Sequence, residues 1–170
     1  MYPKRWLLTD FGFSSIIPSG KVGLSNGRRG TSGYRAPEFL KEGAKPAEYT
    51  TSADIWSIGC ILFELATVKG RTAFGWEDWP VVCFAKGLSP VPQLTVQDNA
   101  LLQVETFSPA ASATLTILQQ LNLILQLCFA LDPKERINAF ELKARFEQMK
   151  VFLCQPWRGG LSGGRQPSKG

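Results

Sequence analysis

The chain has 170 residues, of which 44% are hydrophobic, 19% charged and 11% aromatic, and its net charge is +5. This composition is neither disordered nor fibrous, and the length suits one domain. Histidine is absent, which excludes imidazole acid–base catalysis, a Ser-His-Asp triad and His-ligated zinc within these residues.

At the N-terminus, the apolar run Trp6–Leu8 reads as a short strand delivering Asp10, and it is far too short for a signal peptide. Residues 12–34 are rich in Gly and Ser and read as a loop. Pro37–Leu40 is one helical turn. Thr51–Thr67 is the first strong helix, with Thr51 as its cap and Asp54 in its first turn. Ile55, Ile58, Leu62 and Leu65 recur at helical spacing, and Ile61 and Phe63 widen the stripe. So few of its residues are polar that burial on most sides is expected, and Gly70 is a stop.

Beyond it, a short helix can follow Pro80, and "SPVPQ" is an extended linker. Leu115, Leu118, Leu121, Leu125 and Cys128 line another helix, ended by "LDP" near Leu131. Gln119, Gln120, Asn122 and Gln126 interrupt this run, so it reads as a core helix rather than a membrane span. Asn138 and Glu141 form a capping-box pattern opening a last helix to about Phe152. Residues 155–170 read as a disordered Gly/Ser-rich tail.

None of Cys60, Cys83, Cys128 and Cys154 forms a Cys-x-x-Cys pair. Cys60 and Cys128 lie in apolar runs and read as reduced core thiols of an intracellular protein, cytoplasmic or nuclear. The basic residues are scattered (Lys21, Arg28, Arg29 and Arg35 among them), which argues for solvated surface rather than a nucleic-acid partner.

Four motifs follow one another: Asp10-Phe11-Gly12, then "GTSGYRAPE" at Gly30–Glu38, "ADIWSIGCILFELAT" at Ala53–Thr67 and "LDPKERI" at Leu131–Ile137. Together they resemble the eukaryotic protein kinase family, serine/threonine type, from Leu7 to about Phe152. The resemblance implies a mainly α fold, the large C-terminal lobe of a kinase, with the small lobe and catalytic loop absent. It divides the chain into a partial kinase domain, 1–154, made of an activation segment, 10–38, and a helical lobe, 39–154.

By the same resemblance, Asp10 binds the magnesium that bridges the phosphates of ATP, with Phe11 and Gly12 shaping its turn. Thr31 faces the protein substrate, Glu38 and Arg136 form a buried ion pair, and Asp54 accepts hydrogen bonds from the catalytic loop. Ser14, Ser15, Ser19, Ser25, Thr31 and Ser32 lie where kinases are often phosphorylated, beside Arg28 and Arg29, and no single one stands out. A long helix of the family normally packs on the one matching Thr51–Thr67, so an exposed apolar patch is expected there. The family's glycine-rich loop, strand lysine and catalytic aspartate match nothing in these residues. ATP-dependent transfer to protein Ser or Thr is therefore expected only with a complementing N-terminal segment. The alternative is a non-catalytic interaction module or decoy, with Trp76 and Trp79 as contacts to a protein partner.

Overall fold

A helix that buries one face organises the fold. In the computed structural model, α1 (Ser52–Ala66) turns Ala53, Trp56, Cys60 and Phe63 inward, at steps of three and four residues. The structure describes residues 7–97 and 111–153, apart from 19, 27, 42, 44, 45, 68 and 69, and apart from the side chains of 111–116 and 150–153. Within these bounds the helices are α1, α2 (Trp79–Ala85), α3 (Ala111–Cys128) and α4 (Ala139–Leu153). None is long and apolar enough to cross a membrane.

α1 packs on α3, and α3 on α4. The buried side of α3 carries Ile117, Leu118, Leu121, Ile124, Leu125 and Cys128. The two helices approach closely at Gly59, where a β-carbon would stand 2.7 Å from Cys128 Cβ and 2.9 Å from Phe129 Cε1. Trp56 is fully buried, with the rings of Phe74 at 5.2 Å and Phe129 at 5.1 Å. Asn122, one of the polar interruptions of the α3 run, holds the extended stretch before it. Its Oδ1 accepts from the Leu94 N–H at 2.8 Å, and its Nδ2 donates to the Leu94 carbonyl at 3.0 Å.

Caps explain the helix ends. At α4, Asn138 Oδ1 accepts from the N–H groups of Phe140 and Glu141, each at 3.0 Å, and Glu141 Oε2 accepts from the Asn138 N–H at 3.4 Å. This is the reciprocal capping box. At α1 the cap differs from expectation: the Thr51 side chain makes no capping bond, and Thr50 Oγ1 accepts from the Ser52 N–H at 3.2 Å. Thr51 already has helical dihedrals, so its hydroxyl does not point back over the turn. The helix also ends at Ala66, short of Gly70, which takes a positive φ of 60°.

Three further expectations are corrected. α1 is buried on one side rather than on most: Ile58, Ile61 and Leu65 form an exposed stripe, Ile61 at 46% and Leu65 at 55%. Of the expected strand Trp6–Leu8, Trp6 lies outside the described residues, and Leu7 and Leu8 form no strand and are exposed. Residues 12–34 are not loop throughout. Strand β1 (Gly23–Ser25) pairs antiparallel with β2 (Ala47–Tyr49), Leu24 opposite Glu48. At Gly23 the Tyr49 ring lies close over the backbone, and a β-carbon there would come within 2.6 Å of it, so a side chain would have to displace the ring. The predicted tail, 155–170, and Cys154 lie outside the described residues.

Candidate functional site

Asp10 takes φ 61° and ψ 73°, and it is the one non-glycine with positive φ among the described residues. An aspartate tolerates this region because its short side chain can bond the local backbone. Here Oδ1 accepts from the Gly12 N–H at 3.4 Å, across the 3₁₀ turn Phe11–Phe13. The carboxylate is exposed.

Thr31 begins a turn in which its carbonyl accepts from the Tyr34 N–H at 3.2 Å. Gly30 and Gly33 flank it with φ of 87° and 81°. The turn is tied to α1: Ser57 Oγ donates to the Tyr34 carbonyl at 2.9 Å, and Cys60 Sγ to the Gly33 carbonyl at 3.7 Å. Gly33 also needs its missing side chain, because a β-carbon there would run into the Gly75 carbonyl oxygen.

Asp10, Thr31 and Asp54 line one cleft of about 370 Å³, together with Ser15, Arg29, Arg35 and Ser57. No hydrogen bond joins the three. Asp54 sits on the first turn of α1, and loss of water around it raises its carboxyl above the ordinary aspartate value. Its side chain accepts no hydrogen bond from the described residues. Nowhere among them do three or more acidic, His or Cys side chains gather in a way that could hold a metal ion. Magnesium commonly uses one or two carboxylates plus substrate phosphates and water. The exposed Asp10 carboxylate fits that mode as a single ligand.

Glu38 and Arg136 are brought together behind this cleft. Glu38 lies in the 3₁₀ turn Pro37–Leu40, and Arg136 precedes α4. Arg136 Nη1 donates to Glu38 Oε1 at 2.9 Å, and Nη2 to Oε2 at 3.1 Å. The side chains are 0% and 4% exposed respectively. Two further donors are used: Nε to the Ala130 carbonyl at 3.0 Å and Nη1 to the Ser52 carbonyl at 2.9 Å. The guanidinium lies 5.3 Å from the Trp56 ring centroid. One residue thus ties the 3₁₀ turn, the start of α1 and the end of α3.

Sequence reasoning missed Asp78. Its Oδ2 meets Arg35 at 2.6 Å and Arg28 at 3.6 Å, and its Oδ1 accepts from the Gly33 N–H at 3.3 Å. Nothing in "GWEDWP" marks this carboxylate, because its partners lie more than forty positions upstream. Trp76 and Trp79 are exposed, at 69% and 62%.

The Tyr34 hydroxyl donates to Glu64 Oε2 at 2.6 Å, and this bond, with burial, pushes the phenol from 10.0 to about 12. Burial pushes the Cys60 and Cys128 thiols from 9.0 to about 12. Each group holds its proton more tightly in the folded chain. The stability it contributes is complete below its unfolded value and is lost as pH climbs toward about 12. The melting temperature is therefore expected to fall steadily above pH 9, and Tyr34→Phe to make the fall shallower above pH 10. Thermal melts from neutral to alkaline pH check this.

The protein kinase domain family matches residues 4–146. Rhodopsin kinase grk7-b of Danio rerio is 40% identical over 149 residues, 88% of this chain and 24% of that protein. Mitogen-activated protein kinase kinase kinase A of Dictyostelium discoideum is 30% identical over 135 residues, 79% of this chain and 12% of that protein. Serine/threonine-protein kinase dst2, from the same organism, is 31% identical over 136 residues, 79% of this chain and 10% of that protein. The chain therefore spans less than a quarter of the length of each. The family match covers most of the chain, and its motif residues lie along one cleft and one buried ion pair. The chain belongs to the protein kinase family.

Proposed function

We propose that these residues are the large-lobe part of a serine/threonine protein kinase, which moves the γ-phosphoryl of ATP to Ser or Thr of a protein substrate. The observation that carries this reading is the shared cleft of Asp10, Thr31 and Asp54. Asp10 would contribute one oxygen to a magnesium ion on the ATP phosphates, which neutralises charge developing in transfer. Thr31 would face the incoming hydroxyl. Asp54 would receive backbone N–H groups of a catalytic loop, and its unpartnered carboxylate is consistent with that role. Glu38 and Arg136 would hold the activation segment, 10–38, on the helical lobe, 39–154, with 155–170 as a tail. The buried thiols Cys60 and Cys128 support an intracellular setting.

These 170 residues alone would not transfer phosphate. They contain no histidine, so the His-Arg-Asp loop of the family has no match among them, nor has its strand lysine. With Mg-ATP and a generic protein substrate, radiolabel transfer by this chain is expected to equal that of Asp10→Ala. In a longer polypeptide supplying the loop and lysine, Asp10→Ala is expected to lower transfer on the order of 100-fold. Transfer by the short chain above its Asp10→Ala control, or a longer form indifferent to that change, would overturn the reading.

The exposed Trp76 and Trp79, with the bare stripe Ile58, Ile61 and Leu65, favour a second reading, an interaction module without catalysis. Under it, a protein partner binds Asp10→Ala as well as the unaltered chain, and Mg-ATP gives no thermal shift.

A further inference from the structure

Asp78 stands immediately before α2, the position from which an aspartate usually accepts an N–H of its own helix. It makes no such bond, and Pro80 in the first turn has no N–H to give. The carboxylate turns instead across the fold, to residues 43 and 45 positions upstream. Its Oδ1 accepts from the Gly33 N–H at 3.3 Å, and its Oδ2 from Arg35 Nη1 at 2.6 Å. The loop leading into α2 follows it, since the Gly75 carbonyl oxygen sits where a Gly33 side chain would be.

The turn at Thr31 needs a hold from outside. Gly30 and Gly33 bracket it at positive φ, so its backbone can swing on either side. The two contacts from α1 reach only its far end, at the carbonyls of Gly33 and Tyr34. Arg35 supplies the rest. Its Nε donates to the Arg29 carbonyl at 3.2 Å and its Nη1 to Ser32 Oγ at 2.8 Å. One guanidinium therefore grips the chain before and after Thr31, and Asp78 holds that guanidinium. The pair is shielded, with the Arg35 side chain 15% exposed and Asp78 10%. Arg28, 61% exposed and 3.6 Å from Asp78, adds little beside it. Asp10, bonded to Gly12, stands outside this chain of contacts.

We infer that Asp78 is a positioning residue for phosphoryl transfer, fixing through Gly33 and Arg35 where Thr31 stands. The inference rests on the proposed role of Thr31, which faces the incoming hydroxyl. Asp78 touches none of the reacting groups. It acts by closing a brace from α2 to the two sides of the turn. Transfer rewards alignment of the acceptor with the phosphoryl group, and a turn free to swing spends less time aligned. Loss of the brace therefore acts on the acceptor side, and the nucleotide side at Asp10 keeps its own geometry. Charge is central to the brace. An uncharged amide at 78 can still accept from Gly33, but it presents no anion to Arg35.

The test uses the longer polypeptide that supplies the catalytic loop and strand lysine, with Mg-ATP and a protein substrate. Asp78→Asn is expected to lower kcat on the order of 10-fold, while the KM for Mg-ATP stays within about twofold. Asp78→Glu keeps the charge and should recover part of the loss. In amide hydrogen exchange on the same proteins, residues 30–35 should exchange about 10-fold faster in Asp78→Asn, with the α4 cap at Asn138 and Glu141 unchanged. An Asp78→Asn protein that transfers as fast as the unaltered one overturns this inference alone. So does a variant whose KM for Mg-ATP and α4 exchange rise together with the fall in kcat, because the fold as a whole has then loosened. No transfer by the unaltered longer polypeptide would sink the kinase reading itself, and this inference with it.

Discussion

Arg136→Ala is expected to destabilise the chain by about 3–5 kcal/mol, and Glu38→Ala by a similar amount. The pair is fully desolvated, so removing one member leaves a buried charge without its partner. The two losses differ in kind. Glu38→Ala strands a guanidinium that keeps its bonds to the Ala130 and Ser52 carbonyls. Arg136→Ala strands a carboxylate and also frees those two carbonyls. The arginine change should therefore be the worse of the two. Urea melts of both single variants and the double variant close the cycle. The double variant should cost clearly less than the sum, and strict additivity would show that the pair is not a unit.

Trp56→Ala is the second large effect, at about 3–5 kcal/mol from lost transfer energy and the cavity left behind. The ring lies against Phe74, Phe84 and Phe129 and under the Arg136 guanidinium. Trp56→Phe should cost much less. Its ring keeps most of the contacts, and it removes an indole N–H that is buried and finds no acceptor among the described residues. Denaturant melts of the two variants give the ranking, and a phenylalanine variant as unstable as the alanine one would contradict it. Because the guanidinium sits over this ring, Trp56→Ala and Arg136→Ala are also expected to be non-additive.

These two residues show where sequence reading succeeds and where it stops. The Glu38–Arg136 contact came from resemblance between motifs. Nothing in their spacing dictates it, since 98 positions separate them. The sequence does not single out Trp56, because the apolar residues of α1 repeat almost continuously. Ile55, Ile58, Leu62 and Leu65 make as regular a stripe as Ala53, Trp56, Cys60 and Phe63. Periodicity then gives a helix but not its inner face. That choice belongs to the partners: Gly59 admits α3, and Phe74 and Phe129 offer the tryptophan a pocket, which leaves Ile61 and Leu65 outside.

What residues 1–170 determined alone is local: the proline-led turn at Pro37, the α1 and α3 periods, the reciprocal cap of α4 and the order of four motifs. Each is a rule between residues a few positions apart, written in dihedrals and hydrogen bonds of one segment. Only the tertiary structure decided the pairing of β1 with β2, since three-residue strands are too short to display a period. It also decided that Asp78 holds Arg35 and Arg28, and that Asp10, Thr31 and Asp54 share a cleft. These are contacts between segments distant in the chain, and they form only once helix packing has set the distances between them.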